Sequence, residues 1–132
     1  MTKKLLSIVE QGGYESFHQL YAEKGFIVSE HYVMRNALKW LKRNDACVIV
    51  TEFNFQSDFR DRSSSLESLL ASLQWLSDTK VIVLYDKEWQ GKLNVLCENH
   101  DIYETLSFPV SKDKMEKILD EVLANITPLS QL

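Results

Sequence analysis

Cysteine, histidine and positive charge are all scarce in this 132-residue sequence, and each scarcity excludes a class of protein. The two cysteines, Cys47 and Cys97, are too few for a disulfide framework, and both fall in apolar segments, so we expect them to be reduced core residues. The three histidines are scattered singly, without the spacing of metal ligands. A formal net charge of -4 argues against a domain that wraps nucleic acid, because such a domain needs a basic footprint.

Long apolar runs and low-complexity linkers are missing as well. No apolar stretch approaches the roughly 20 residues that span a membrane, which predicts a protein without a membrane contact. Nothing divides the chain into parts, so we predict one domain over residues 1–132. Lys3 and Lys4 precede a short apolar stretch that stops at Glu10, which favours a first strand over a signal peptide and therefore a cytoplasmic protein.

The most informative feature present is a continuous apolar run over residues 46–54, with a carboxylate, Glu52, at its carboxyl end. An apolar run without alternation predicts a strand that is buried on both faces, and residues 81–85 form a second such run. In open α/β sheets, ligands gather beyond the carboxyl ends of such strands, so Glu52 stands where a functional site is expected. Shorter apolar segments predict three further strands, at residues 5–9, 26–29 and 102–108.

Five segments with helical periodicity alternate with these strands. The strongest has leucines at positions 66, 69, 70, 73 and 76, which is the spacing of one helix face. Tyr14 begins the stripe of the first helix, predicted over residues 14–24, and the other three are predicted around residues 33–41, 89–99 and 115–126. Strands that alternate with helices predict a doubly wound, five-stranded parallel sheet with helices on both faces and the flavodoxin-like order 2-1-3-4-5.

Two adjacent glycines, Gly12 and Gly13, follow the first predicted strand and precede a helix. A helix N-terminus attracts anions, but the spacing lacks both the G-x-G-x-x-G pattern and the G-K-[ST] ending of phosphate loops. A tight turn is the simpler interpretation. The loop nevertheless supports an alternative function, namely a flavodoxin-like binder of a nucleotide or other small molecule, with Tyr85 and Trp89 available for stacking.

The alternating elements and the segment Val48-Ile49-Val50-Thr51-Glu52-Phe53-Asn54 resemble the receiver domain of bacterial two-component response regulators. The resemblance covers nearly the whole chain, from about Lys3 to the last helix. Receivers accept a phosphoryl group from a histidine kinase on an Asp at the end of strand three, a position that Glu52 matches here. The resemblance implies a signalling module that contacts other proteins.

The residues that carry receiver chemistry are replaced in this sequence. The acidic pair that holds Mg²⁺ after strand one matches Glu10 and Gln11, the small hydroxyl residue after strand four matches Tyr85, and the Lys before a Pro matches Phe108. Phosphoryl transfer needs an acceptor oxygen in line and cations that neutralise the developing charge. Glu52 reaches one methylene farther than Asp, and Phe108 supplies no cation. The comparison predicts a degenerate, non-catalytic pseudo-receiver with no resident cofactor.

Two interpretations of Glu52 stay open: it mimics a permanently activated state, or it is a partly solvated carboxylate at a strand end. A second alternative function is an atypical receiver that still accepts phosphate, for example at Asp86, with weak Mg²⁺ binding by Glu10 and Glu52.

Receivers usually contact their partners through helix four, strand five and helix five. We expect a signalling or regulatory protein as partner, or a second copy in a homodimer, and no nucleic acid. Thr105 stands where receivers have a rotating aromatic residue, and Tyr103 is expected one pleat earlier on the same face. The corresponding face here comprises Trp89, Lys92, Tyr103, Thr105, Lys112 and Lys117, with Trp75 as a further candidate.

Overall fold

A computed structural model of the chain describes residues 3–9, 14, 16–53, 65–73 and 79–130, with the side chains of 65–68 and 126–130 left aside. Helices and strands alternate in it as the periodicity predicts. A short 3-10 turn, Lys87–Trp89, leads into the fourth helix. The elements in chain order are β1 (Lys4–Ile8), α1 (His18–Glu23), β2 (Ile27–His31), α2 (Met34–Leu41), β3 (Val48–Phe53), α3 (Ser65–Ser72), β4 (Lys80–Tyr85), α4 (Gln90–Asn99), β5 (Glu104–Ser107) and α5 (Lys112–Ser130).

The five strands form one parallel sheet in the order β2-β1-β3-β4-β5, which confirms the predicted topology. One row across its centre aligns Ser7 with Val50, Val50 with Ile82, and Ile82 with Glu104. Because all strands run the same way, their carboxyl ends meet at one edge of the sheet. Residues that follow β1, β3, β4 and β5 are therefore brought towards a common site.

The sheet is covered on both faces by separate apolar clusters. The first, called the α2–α4 cluster, joins α2, α3 and α4 to alternate strand residues such as Ile49 and Val83. The second, called the α1–α5 cluster, joins α1 and α5 to the residues between them, such as Val50 and Leu84. All six residues of β3 are buried, which confirms the prediction from its unalternated apolar run.

Helix α1 is shorter than the periodicity predicts. It begins at His18, so Tyr14 lies before the helix and the prediction that the helix starts at residue 14 was wrong. The physical reason is that the Tyr14 phenol is held at the end of β3, as described below. At the other end Gly25 has a positive φ of 93°, which suits glycine after a helix C-terminus. Lys24 then bridges to α5, with its Nζ 2.9 Å from Glu116 and 2.8 Å from Asp120.

Two predictions of side-chain placement were also wrong. Cys97 is exposed, because Leu93 and Leu96 occupy the inward face of α4. Tyr103 precedes β5 at a bend, and its ring packs against the α1–α5 cluster together with Leu106. Since neighbouring strand residues point to opposite faces, Thr105 and Leu106 diverge, so Tyr103 and Thr105 do not share a face.

No described helix is long and apolar enough to cross a membrane.

Candidate functional site

The candidate site is centred on the carboxylate of Glu52 near the carboxyl end of β3. Only 2% of Glu52 is exposed. Strand alternation places its side chain on the same face as Val48 and Val50, beneath the elements of the α1–α5 cluster. The interpretation of a partly solvated carboxylate was therefore wrong: an ionisable group at this position is enclosed by protein and must be satisfied by protein donors.

Tyr14 supplies one of those donors. Its hydroxyl donates a hydrogen bond of 2.8 Å to Oε2 of Glu52. The ring of Tyr14 in turn packs against Phe108, with ring centroids 5.1 Å apart and an angle of 35° between the planes. The three side chains come from the loop before α1, from β3 and from the segment after β5, so they link three separate parts of the carboxyl edge.

Phe108 is fixed by the sheet itself. Its backbone N–H donates to the carbonyl of Tyr85 at 2.8 Å, which extends the ladder between β5 and β4 by one rung. The Phe108–Pro109 peptide bond is cis. The ring lies partly buried against the α1–α5 cluster, the same cluster that Tyr14 contacts. The Phe108 ring, packed on the phenol that donates to Glu52, therefore stands at the position where the receiver resemblance places a lysine.

The side chain of Tyr85 lies on the opposite face of the sheet from Glu52. Its ring is buried in the α2–α4 cluster, and its hydroxyl donates to Oε1 of Gln90 at 2.9 Å. Tyr85 therefore does not join Glu52 and Phe108 on their face of the sheet. Its ring is also not available for stacking on a ligand in this conformation, contrary to the alternative prediction of a small-molecule binder.

Tyr14 is the residue that sequence reasoning missed at this site. Because Tyr14 has helical spacing with Phe17 and Tyr21, it was assigned to the apolar stripe of a helix. A hydrogen bond from its hydroxyl was therefore not predicted. The signal that could have found it is its position: it lies in the connection after β1, at the edge where strand ends meet. Glu10, Gln11, Gly12 and Gly13 belong to the same connection but lie outside the described residues, so the predictions about them stay predictions.

Whether Glu52 takes part in a magnesium site stays a prediction, because Glu10 and Gln11 lie outside the described residues. Mg²⁺ prefers an octahedron of oxygen ligands. The described hydrogen bond to Glu52 comes from the Tyr14 hydroxyl, a donor and not a further oxygen ligand poised for a cation. Within the described part of the chain, no group of three or more His, Cys, Asp or Glu residues could hold a metal ion.

The residues expected to contact partners are spread along α4, β5 and α5. Lys92, Lys112 and Lys117 are exposed, and Thr105 is half-buried. Trp89 packs partly against the α2–α4 cluster, so it is not a free aromatic anchor. Trp75 lies outside the described residues. The structure thus leaves mainly lysines on the predicted interaction face.

Burial raises the pKa of the Tyr14 phenol well above its ordinary value, and the hydrogen bond to Glu52 and the charge of that carboxylate raise it further. Burial, followed by the charge of Glu30, raises the pKa of Tyr21 in the same direction. Both phenols therefore stay protonated in the folded protein at pH values where the unfolded chain, with a tyrosine pKa of about 10, begins to ionise.

We expect the folded protein to lose stability as the pH rises above about 10. The unfolded state then releases protons that folded Tyr14 and Tyr21 retain, so the free energy of unfolding falls by up to about 1.4 kcal/mol per pH unit for each tyrosine. Urea unfolding at a series of pH values from about 8 to 11 measures this slope. Tyr14→Phe and Tyr21→Phe should each reduce it. A free energy of unfolding that stays constant over this range would contradict the prediction.

No protein-family model matches the sequence, and no curated protein matches it. Solved structures do match. The chain is similar to a response regulator receiver domain from Clostridium thermocellum, with 15% sequence identity, coverage of 96% of this chain and 98% of that chain, and a TM-score of 0.75. It is equally similar to a CheY-like receiver domain from Methanospirillum hungatei, with 15% identity, coverage of 97% and 99%, and a TM-score of 0.75.

A third similar structure is the response regulator protein TrrA from Thermotoga maritima, solved in complex with Mg²⁺ and BeF. It has 15% identity to this chain, coverage of 92% of this chain and 100% of that chain, and a TM-score of 0.67. Each of these three matches covers more than nine-tenths of this chain, so each includes the five-stranded sheet. The chain therefore has the receiver fold of response regulators.

Proposed function

We propose that this chain is a receiver-like signalling module that acts through protein contacts and does not depend on phosphorylation at the end of β3. The observation that carries the proposal is the hydrogen bond from Tyr14 to the buried carboxylate of Glu52, with the Phe108 ring against Tyr14. In this proposal the module has no catalytic activity of its own, works in the cytoplasm and has no resident cofactor.

The chemical argument concerns access and charge. An incoming phosphoryl group must approach an acceptor oxygen in line, and cations must neutralise its oxygens. Here the Tyr14 hydroxyl already occupies one oxygen of Glu52 at 2.8 Å. Phe108 adds an apolar ring to the same neighbourhood and no positive charge. A phosphoryl group at this place would have to displace Tyr14 and leave its own charge without a described counter-ion.

Titration with beryllofluoride and Mg²⁺ tests the proposal. We expect no change in the amide NMR shifts of Glu52, Tyr85 and Phe108 at millimolar Mg²⁺. TrrA from Thermotoga maritima, which was solved with Mg²⁺ and BeF, is the positive control for the reagents. A saturable, Mg²⁺-dependent shift centred on Glu52, absent in the Glu52→Gln variant, would overturn the proposal and favour the atypical receiver that still binds phosphate.

A further inference from the structure

Two stretches of the chain carry charge of a single sign. Residues 31–44 contain four positive residues and no acidic one, although the whole chain has a formal net charge of -4. The helical spacing of positions 35, 39 and 42 places them on one face of α2, opposite the buried Met34 and Ala37. All four cations are exposed, and no ion pair within the described residues involves them: Arg35, Lys39, Lys42 and Arg43.

Residues 93–111 show the opposite pattern. They contain three acidic residues and no lysine or arginine. All three acids are exposed: Glu98 on α4, Asp101 in the connection that follows, and Glu104 at the start of β5.

Charged residues of opposite sign border each stretch. Glu30 and Asp45 border the first, and the Tyr32 hydroxyl donates to Glu30 at 3.3 Å; Lys92 and Lys112 border the second. Counting them reduces the two charges but leaves their signs unchanged.

The topology puts these stretches at opposite ends of the sheet. β2 and β5 are its two edge strands. α2 follows β2 and packs on β1 and β2, whereas α4 leads directly into β5. We call the α2 cations, with neighbouring Tyr32 and Val33, the basic flank. We call the three acids, with Val95 of α4, the acidic flank.

Exposed apolar side chains accompany the charges. Four large hydrophobic side chains in the described part of the chain are each more than half exposed: Ile27, Tyr32, Val33 and Val95. Ile27 begins edge strand β2, Tyr32 and Val33 join β2 to α2, and Val95 lies one turn before Glu98 on α4. Each flank therefore combines charge of one sign with apolar surface, the composition that favours a protein partner of opposite charge.

We propose that the basic flank of one copy of this chain docks on the acidic flank of a second copy, head to tail. A two-fold dimer through either flank would place like charges opposite each other, whereas head-to-tail contact pairs four cations with three acids. A nucleic acid or an anionic membrane suits the basic flank less well, because the rest of the chain has a formal charge of -8 and would repel an extended polyanion.

The inference rests on one part of the proposed function, namely that the module acts through protein contacts. It does not depend on whether Glu52 can be phosphorylated. Head-to-tail contact leaves a free basic flank at one end of each assembly and a free acidic flank at the other, so assembly continues beyond a dimer unless a ring closes.

Sedimentation velocity of the whole chain tests the inference. At about 20 mM salt we expect the average mass to rise with protein concentration past that of a dimer, and at about 500 mM salt we expect association at least about 10-fold weaker. A monomer at millimolar concentration in low salt would overturn the inference, and binding of that monomer to anionic vesicles would assign the basic flank to a membrane instead.

Charge reversal identifies the two surfaces. Arg35→Glu/Arg43→Glu cancels the net charge of the basic flank, and Glu98→Lys/Asp101→Lys makes the acidic flank basic. We expect each variant alone to be monomeric, because it has lost one of the two complementary flanks. We expect an equimolar mixture to form a 1:1 dimer, because the unchanged basic flank of the second variant meets the unchanged acidic flank of the first. Lys87→Glu/Lys114→Glu is the matched control: it changes the net charge of the chain by the same amount as Arg35→Glu/Arg43→Glu, at exposed positions on neither flank, and it should leave association unchanged.

Three outcomes count against the inference. They are association of either single-flank variant alone, failure of the mixture to associate when circular dichroism shows both variants folded, and loss of association in the Lys87→Glu/Lys114→Glu control. The beryllofluoride titration is repeated on the monomeric variants. A phosphate response there would count against the proposed function while leaving the docking result intact, so the two proposals fail separately.

Discussion

Truncating either of two neighbouring residues of β4 lowers the free energy of unfolding, by about 3 kcal/mol for Leu84→Ala and about 2 kcal/mol for Val83→Ala. Both side chains are fully buried, but they face opposite sides of the sheet. Leu84 belongs to the α1–α5 cluster and Val83 to the α2–α4 cluster. Each truncation loses transfer free energy and leaves a cavity that the neighbouring helices fill only in part. Urea unfolding measures both values.

The control for this pair is Val95→Ala on α4, where the side chain is exposed and the loss should stay below about 0.5 kcal/mol. The pair tests the two-layer cover of the sheet directly. If only one face were covered by helices, one of the two truncations would cost little. A small loss for either Val83→Ala or Leu84→Ala would therefore contradict the doubly wound arrangement.

The sheet could be predicted because continuous apolar runs of strand length mark its central strands. Residues 48–53 and 81–85 have no alternation, and only a strand covered on both faces buries every side chain of such a run. The order of the strands followed from right-handed crossovers and from the size of the chain. These constraints act over many residues, so errors of one or two positions at the ends of elements did not change the topology.

The candidate site could be predicted only in part, because it depends on single side chains in connections. Glu52 was located by its place at a strand end, but it is hydrogen-bonded by Tyr14, which packs on Phe108, and both of these come from distant parts of the sequence. Periodicity assigned Tyr14 to a helix that begins four residues later. Tyr103 was misplaced for a related reason: strand alternation was extended past the start of β5, where a bend ends it.

The hydrogen bond from Tyr14 to Glu52 also bears on the stability of the fold. A buried carboxylate is costly unless donors satisfy it. The Tyr14 hydroxyl is a donor from outside β3, and the ring contact with Phe108 holds it in position. The interaction therefore joins the connection after β1 to the ends of β3 and β5, and it should contribute to stability as well as to the closure of the site.

We expect Tyr14→Phe to lower the free energy of unfolding by about 2 kcal/mol, because it keeps the ring but leaves a buried charged acceptor with one donor fewer. The pair is isolated by a double-mutant cycle with Glu52→Leu, which removes the charge and leaves the phenol without its acceptor. Removing both partners should cost less than the sum of the single losses, with a coupling of about 1.5 to 3 kcal/mol for a hydrogen bond to a charged group. Urea unfolding of the four proteins at neutral pH gives the coupling. Losses that add to within about 0.3 kcal/mol would show that the two groups act independently and would contradict the closure of the site by Tyr14.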